Sequence, residues 1–458
     1  MRNSRTFRRI VVLTLIALAI AGHTAIFWHF WNDAYIGQMT RQFFFKGNMV
    51  LMFVYALLYI IFGNVYGAFR IRKLRFADLA FSQILALFFT NIIIYLQVSM
   101  LTLEIANPVP ILQMSIDNVL CIVLWTWVSI GVYKWLYPPR DMLLVYSDHD
   151  PDNLVKKFQT REDKYRIKES IHCDTDWKEL TYTIKHHQAV ILCDIPSSHR
   201  NNILKYCYSI DKRVYVTPKL SDLILRGAEQ NNMFDSPLLV SKIKGLKWEQ
   251  AFVKRCIDIV VSLILCVPAV FMTILVLVGN IIFDHDFGPI FYTQIRLTQN
   301  RKEFKIIKFR SMKVDSEKAG ARLAMKDDDR ITTMGKVLRA THLDELPQVF
   351  NILIGQMSVV GPRPERPEIA KEYEDSIPEF AFRLKVKAGL TGYAQVFGKY
   401  NTTPYDKLKL DLYYIQQYKV WTDFQIILMT FKIMFIKENT EGVDKEQTTA
   451  MLEKKKEM

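Results

Sequence analysis

The sequence contains no nucleic-acid-binding motif, no CxxC pair, no internal repeat and no low-complexity linker. Without a nucleic-acid motif, the net charge of +14 needs another partner. Its basic residues flank apolar runs, which assigns them to an anionic membrane surface and not to nucleic acid. The six cysteines, Cys121, Cys173, Cys193, Cys207, Cys256 and Cys266, show no Cys/His spacing of a metal site. They are expected as small buried hydrophobes in a reducing compartment. Glycine is missing from the turn Ser147-Asp-His-Asp-Pro151, which follows the first strand of a stretch alternating strand and helix signals. A dinucleotide pyrophosphate needs glycines there for the backbone to approach, so that stretch is read as structural or regulatory.

Apolar surface, by contrast, is abundant. Half of the 458 residues are hydrophobic and 13% are aromatic, which points to membrane segments within a chain of two or three domains. Four apolar runs, about 10–31, 47–66, 80–102 and 118–137, are each long enough to cross a bilayer core. No small-residue cleavage site closes the first, and three more follow, so it is read as a span and not as a signal peptide. Arg2, Arg5, Arg8 and Arg9 precede the first run, and Arg70, Arg72, Lys73 and Arg75 lie between the second and third. The other two loops carry only Arg41 and Lys46, or no cation at all. The positive-inside rule therefore places the N-terminus and everything after residue 138 in the cytoplasm.

Residues 140–245 alternate strand and helix signals. Met142–Tyr146, Tyr165–Ile171, Ala189–Ile195 and Arg213–Val216 read as strands, with helices beginning at Pro151, Asp176 and Ser197. That order predicts a small parallel α/β domain of Rossmann-like wind. His186 and His187, ending one helical pattern, are expected in solvent. Lys254-Arg255-Cys-Ile-Asp258 then leads into an apolar run from Ile259 to Phe283, interrupted by Pro268. Proline removes a helical hydrogen bond and kinks the helix. A break near Pro268, with Ser262 satisfying freed backbone groups, would let the run enter and leave on one face. A plain fifth span is the other reading that hydropathy allows. Trp421–Ile436 is expected as an interfacial amphipathic helix or a buried core helix.

The densest chemistry lies in Arg339-Ala-Thr-His-Leu-Asp344-Glu345-Leu-Pro347, running through Gly355 to Gly361-Pro362-Arg363-Pro364. Leu346, Val349, Phe350 and Leu353 recur at i, i+3, i+4 and i+7, a helical stripe. Pro347 is tolerated only in a first turn, which predicts Asp344 near the N-cap and Glu345 at about the first helical position. Helix N-termini favour ionised carboxylates and bound phosphate. The bland alternative is a capped helix whose acidic first turn merely suits its dipole.

Lys308-Phe-Arg310-Ser-Met312 upstream, with Gly361-Pro-Arg363-Pro364 and Lys387-Ala-Gly389-Leu-Thr391-Gly392-Tyr-Ala-Gln395 downstream, stand in order around this pair. Over roughly residues 250–440 the chain resembles the bacterial sugar transferases, polyprenyl-phosphate glycosyl-1-phosphate transferases with a monotopic catalytic core. Its N-terminal part is similar to the larger members. The resemblance implies an α/β membrane protein with four N-terminal transmembrane helices (1–138), a cytoplasmic Rossmann-like domain (139–246) and a re-entrant membrane helix (247–283). A mainly helical catalytic domain (284–440) and a charged tail (441–458) complete it.

The same resemblance implies transfer of hexose-1-phosphate from a UDP-sugar to polyprenyl (undecaprenyl) phosphate, releasing UMP, at the cytoplasmic face of the bacterial inner membrane. It implies Asp344 as nucleophile, Glu345 as its partner and both as ligands of Mg²⁺. Lys308, Arg310, Arg339 and Arg363 match its cationic positions as phosphate clamps. Gly389, Thr391, Gly392 and Gln395 match a turn approaching the nucleotide, and Ser262 and Pro268 the helix break. UDP-sugar, polyprenyl phosphate, membrane lipid and a second copy of the chain are the partners it suggests. A catalytically degenerate membrane scaffold or regulator of polysaccharide assembly is the competing class.

Overall fold

The computed structural model describes residues 5–39, 45–72, 74–147, 151–233, 235–241, 245–284, 288–313, 330–398 and 402–434. The charged tail, residues 148–150 of the glycine-free turn, and the cations Arg2, Arg41 and Lys73 lie outside these. The chain divides into two compact units, Met1–Lys219 and Leu220–Met458.

The first unit opens with helices α1 (Arg5–Phe30), α2 (Phe45–Tyr66), α3 (Phe76–Thr102) and α4 (Val109–Leu136). Among the described residues five helices are long and apolar enough to cross a membrane, these four and a later one. Their polarity is inverted relative to a soluble bundle. Leu13, Phe53, Leu96, Met100 and Leu120 face outward, whereas His23, Gln83, Asn91 and Asn118 are buried. The buried groups find each other: His23 Nδ1 lies 2.7 Å from Asn118 Oδ1, and Trp31 Nε1 donates to Asn48 Oδ1 at 3.0 Å. Tyr59 donates to Gln83, and Asn91 donates to Ser115 Oγ at 3.0 Å. Polar side chains turned inward and apolar ones outward suit a hydrocarbon surrounding.

There follow β1 (Arg140–Tyr146), α5 (Asp152–Gln159), β2 (Tyr165–His172), α6 (Trp177–His186), β3 (Ala189–Cys193), α7 (Ser197–Ser209) and β4 (Arg213–Val216). The strands form a wholly parallel sheet in the order β2-β1-β3-β4. Leu143, Val145, Val190 and Leu192 pack on α6 and α7 through Leu180, Ile184, Ile203 and Cys207. Met142, Leu144, Ala189 and Ile191 pack oppositely on Leu154, Val155 and Phe158 of α5. Burial on both faces explains why these strands read as continuous apolar runs. Asp176 caps α6 by accepting from the Lys178 amide at 3.1 Å. His186 is exposed as expected, but His187 is buried, its Nδ1 2.9 Å from Thr183 O. The chain turns directly into β3 there, carrying His187 under the sheet edge and out of solvent.

The second unit contains α8 (Leu220–Arg226), the antiparallel hairpin β5 (Glu229–Met233) and β6 (Ser236–Val240), and the long α9 (Trp248–Asp284). A second antiparallel hairpin, β7 (Phe291–Leu297) and β8 (Glu303–Phe309), precedes α10 (Thr333–Ala340). After a 3-10 turn at Leu343–Glu345 come α11 (Gln348–Leu353), β9 (Ser358–Val360), α12 (Pro367–Ser376) and a 3-10 segment, Pro378–Lys385. Finally β10 (Gly389–Thr391) pairs parallel with β9, followed by α13 (Tyr393–Phe397), α14 (Pro404–Gln416) and α15 (Val420–Met434). Phe304, Ile306, Ile352, Val359, Val360, Tyr414 and Ile426 form the main core. Leu220 and Leu223 of α8, read from sequence with the 139–246 segment, pack here on Phe380, Leu408 and Leu412. One face of α15 joins the core through Ile426, while Trp421, Phe424 and Phe431 stay exposed.

Helix α9 departs from expectation in one respect. It runs through Pro268 as a single 37-residue helix, without the anticipated break, and Ser262 Oγ is buried with no hydrogen-bond partner. Ser262 therefore does not repair freed backbone groups. It belongs to a buried stripe, Lys254, Asp258, Ser262, Ala269, Val276, Gly279 and Asn280, that follows one face along the whole helix. Lys254 Nζ meets Asp423 Oδ2 at 2.7 Å, and Asp258 Oδ1 accepts from Ser358 Oγ and the Val359 amide, each at 2.8 Å. Arg255 donates to the carbonyls of Ile352 and Leu353 at 2.6 and 2.7 Å, capping the C-terminus of α11. At the other end Asp284 accepts from the Thr333 and Met334 amides at 2.7 and 3.1 Å, capping α10. Between these clamps the opposite face exposes Leu263, Ile264, Val267, Phe271, Ile274 and Ile282.

Candidate active site

Three elements converge on the acidic pair. Helix α10 ends at Ala340, and His342 takes left-handed backbone angles (φ 54°, ψ 16°), reversing the chain into the 3-10 turn. Leu343 and Leu346 anchor that turn on Val276, Phe309 and Leu338. Pro347, and not Asp344, occupies the N-cap of α11. The expected placement of Asp344 and Glu345 in the first turn of that helix is thus corrected. The proline starts a new helix one residue after itself, and the carboxylates sit in the tighter turn before it. Asn351 of α11 ties it to β8, accepting from the Ile307 amide at 3.0 Å and donating to Lys305 O at 2.8 Å.

That stitching brings Lys308 of β8 to Glu345, with Nζ 2.7 Å from Oε1. Arg363 arrives from the loop after β9 and donates to the same carboxylate, Nη2 to Oε1 at 2.8 Å and Nη1 to Oε2 at 3.4 Å. Burial opposes the Glu345 charge, but Arg363 and Lys308 outweigh it and hold its carboxyl well below the usual range. Asp344 is treated differently. Burial first, and then the Glu345 charge, push its carboxyl above the usual range, with Lys308, Arg339 and His342 acting in the opposite sense. Among the described residues no side-chain hydrogen bond is made by the Asp344 carboxylate. One carboxylate is a doubly clamped anion, and its neighbour has no such clamp among the described residues.

The other expected groups divide. Arg339 donates through Nε to Ser311 Oγ at 2.8 Å, which leaves the rest of its guanidinium beside Asp344 as a source of positive charge. Arg310 is buried and donates to Pro289 O at 2.6 Å and Met312 O at 3.3 Å, binding the strand end to the loop before β7. Gly389, Thr391 and Gly392 lie against the Gly361 segment: a Cβ on Gly389 would meet the Gly361 amide, and one on Gly392 the Gly361 carbonyl. These glycines therefore let two backbones close up beneath the Arg363 loop. Thr391 Oγ1 lies 2.7 Å from Thr430 Oγ1, and Gln395 Nε2 donates to Leu390 O at 3.2 Å while its buried Oε1 has no partner.

Sequence reasoning missed a second charged layer. Arg296 donates to Pro364 O at 3.0 Å and fixes the Pro-Arg-Pro loop from β7. Glu365, next in that loop, meets Arg383 at 3.3 Å, and Arg383 Nε donates to Asp411 Oδ2 at 2.9 Å. Burial again works against Glu365, yet Arg383, Lys407, Arg363 and Arg296 hold its carboxyl below the usual range. The one sequence signal was the position of Glu365 two residues after Arg363; Arg383 and Lys407 are distant and carry none. Asp411 is buried against Arg383.

The family profile described as bacterial sugar transferase matches residues 249–437. The UDP-N-acetylgalactosamine-undecaprenyl-phosphate N-acetylgalactosaminephosphotransferase of Aeromonas hydrophila is 37% identical over 185 residues, 40% of this chain and 43% of that one. The UDP-glucose:undecaprenyl-phosphate glucose-1-phosphate transferase of Klebsiella pneumoniae is 37% identical over 219 residues, 47% and 46% of the two chains. The protein of the same name from Caulobacter vibrioides is 36% identical over 191 residues, which are 41% of this chain and 71% of its own length. The chain belongs to the bacterial sugar transferase family. It spans less than half the length of the Aeromonas and Klebsiella relatives.

A divalent ion of the Mg²⁺ kind takes one or two carboxylates and completes its shell with water and substrate phosphate. Among the described residues the Asp344 carboxylate makes no side-chain hydrogen bond, so its chemistry would fit such an ion better than Glu345, whose two oxygens both already accept from cations.

Proposed function

We propose that the protein transfers hexose-1-phosphate from a UDP-sugar to undecaprenyl phosphate, giving undecaprenyl-diphospho-sugar and UMP. The observation that carries this reading is the unequal treatment of the two carboxylates, with Glu345 clamped by Lys308 and Arg363 and Asp344 beside cations with no side-chain hydrogen bond among the described residues. Both substrates are anions, so positive charge must be in place before they meet. Asp344 Oδ attacks the sugar-proximal phosphorus, the bond to the UMP oxygen breaks, and an aspartyl-phosphoryl-sugar remains. An oxygen of undecaprenyl phosphate then attacks the same phosphorus and releases Asp344. Splitting the transfer avoids bringing both anions together at once. Glu345 orients Lys308 and Arg363 towards the phosphates, and Arg339 adds charge beside Asp344. Asp344 would hold a Mg²⁺ ion, which would supply neutralisation of phosphate charge.

We further propose that the first four apolar helices span the bacterial inner membrane with both termini of that bundle cytoplasmic, and that α9 lies at the cytoplasmic face without crossing. What supports the second part is the stripe from Lys254 to Asn280, buried along one face of the unbroken helix against the core of its own unit, with Asp284 clamped to the same unit. A helix crossing to the far side would have to part from that core. The decisive experiment omits the lipid acceptor: wild type should release about one UMP per site and then stall. Asp344→Asn should show no burst, and the sugar-phosphate adduct should map to Asp344. An adduct on Glu345, or a full burst in Asp344→Asn, would overturn the assignment.

A further inference from the structure

The α/β domain carries chemistry that the transferase reaction does not use. At the carboxyl ends of β1 and β2, His172, Cys173 and Asp174 bring one ligand atom each within 4.8 Å of one another. His199, from the first turn of α7, stands beside Asp174 as a fourth candidate ligand. His172 Nδ1 lies 3.5 Å from Asp174 Oδ2, His199 Nε2 lies 3.7 Å from Asp174 Oδ1, and Cys173 Sγ lies 3.7 Å from that same oxygen. A tetrahedral zinc site has Zn–N of about 2.0–2.1 Å and Zn–S of about 2.3 Å, hence donor–donor edges of about 3.3–3.6 Å. The three separations to the Asp174 carboxylate, 3.5, 3.7 and 3.7 Å, lie close to such edges.

At His199 the surroundings already set the tautomer that ligation requires. His199 Nδ1 lies 3.2 Å from the Cys173 carbonyl, an acceptor only, so Nδ1 carries the proton and Nε2 presents its lone pair to Asp174. A ligating histidine whose other nitrogen donates to a backbone carbonyl is the usual outer-shell arrangement of metal sites. On His172 the Asp174 amide donates to Nδ1 at 3.4 Å, a long bond that an ion on that nitrogen would have to replace. The Tyr146 ring meets the His172 ring edge to face at 5.6 Å, and the Cys173 amide donates to Tyr146 O at 2.8 Å. His172 and Cys173 are thereby held from β1. Cys173 is buried while Asp174 and His199 open to solvent, so an ion enters from outside and meets the thiol last.

We propose that His172, Cys173, Asp174 and His199 form a binding site for one divalent transition metal of the Zn²⁺ class. Two imidazoles, a thiolate and a carboxylate select Zn²⁺ or Co²⁺ over Mg²⁺, so this site is distinct in kind from that of Asp344. Binding would tie the end of β2 to the start of α7 and release the Cys173 proton.

The test uses the full chain in detergent, stripped with chelator and titrated with Co²⁺. Wild type should take up one equivalent, show a thiolate-to-cobalt charge-transfer band with tetrahedral visible bands, and lose both on adding Zn²⁺. Cys173→Ser should lose the charge-transfer band. Asp174→Asn and His199→Gln alter exposed side chains and should keep the wild-type circular dichroism while weakening Co²⁺ at least about tenfold. No charge-transfer band in wild type, a band undiminished in Cys173→Ser, or unchanged affinity in both Asp174→Asn and His199→Gln would each overturn the proposal.

Discussion

Replacing Lys254 by methionine tests how firmly α9 is fixed to the catalytic unit. The ammonium lies 2.7 Å from Asp423 Oδ2, with side-chain exposures of 7% and 1%. It also stands 5.8 and 5.7 Å from the ring centroids of Tyr414 and Tyr418. Methionine fills most of the volume but leaves the Asp423 charge buried. Removing one partner of a buried pair costs about 3–5 kcal/mol. Asp423 keeps two donors, Tyr414 at 2.7 Å and Tyr418 at 3.2 Å, which places the expected loss near the lower end, about 3 kcal/mol. For a unit of this size each kcal/mol shifts Tm by about 2–4 °C, so thermal unfolding in detergent, followed by tryptophan fluorescence, should fall by roughly 6–12 °C. Lys254→Met with Asp423→Leu removes both charges and should recover at least half of that loss. A single variant within about 2 °C of wild type, or a double variant no better than the single, would refute the account of this pair as a stranded-charge problem.

Two further outcomes follow from the charges around the site. Because the folded Asp344 carboxyl titrates above an ordinary aspartate, the UMP burst should be present above that raised pKa and be lost as pH falls through it. Glu345→Gln removes a charge that raises it and frees Lys308 and Arg363, so any burst it retains should persist to lower pH; an acid limb that moves upward would contradict the coupling. Arg383→Leu strands Asp411, 1% exposed, beside Glu365. It should cost about 3–5 kcal/mol, measured by thermal unfolding, and Asp411→Leu in the same chain should restore much of that.

What was legible in the sequence follows local periodicity. The central strands β1 and β3 were legible because burial on both faces makes each largely an apolar run between turn signals, whereas the edge strands β2 and β4 are part-exposed and carry charges. The grouping of Lys308, Arg363 and the acidic pair could be read from motif resemblance, but not the division of labour within it. That Lys308 and Arg363 both serve Glu345 depends on Asn351 stitching α11 to β8 and on Arg296 steadying Pro364. Those contacts span 44 and 68 residues and leave no periodic trace. The same blindness hid His199 from Cys173, 26 residues away. Pro268 misled for the opposite reason: a proline is a strong local signal, and packing of the Lys254–Asn280 stripe holds the helix through it.

The two ends of α9 are gripped by side chains of fixed orientation, Lys254 and Asp258 at one end and Asp284 at the other. An α-helix turns by about 100° per residue, so inserting or deleting one residue between the grips would put them out of phase on the same rigid body. The outward-facing apolar residues of the run from Ile259 to Phe283 are therefore free to drift among apolar types, while their number is locked. Length, more than spelling, is what this helix has to inherit.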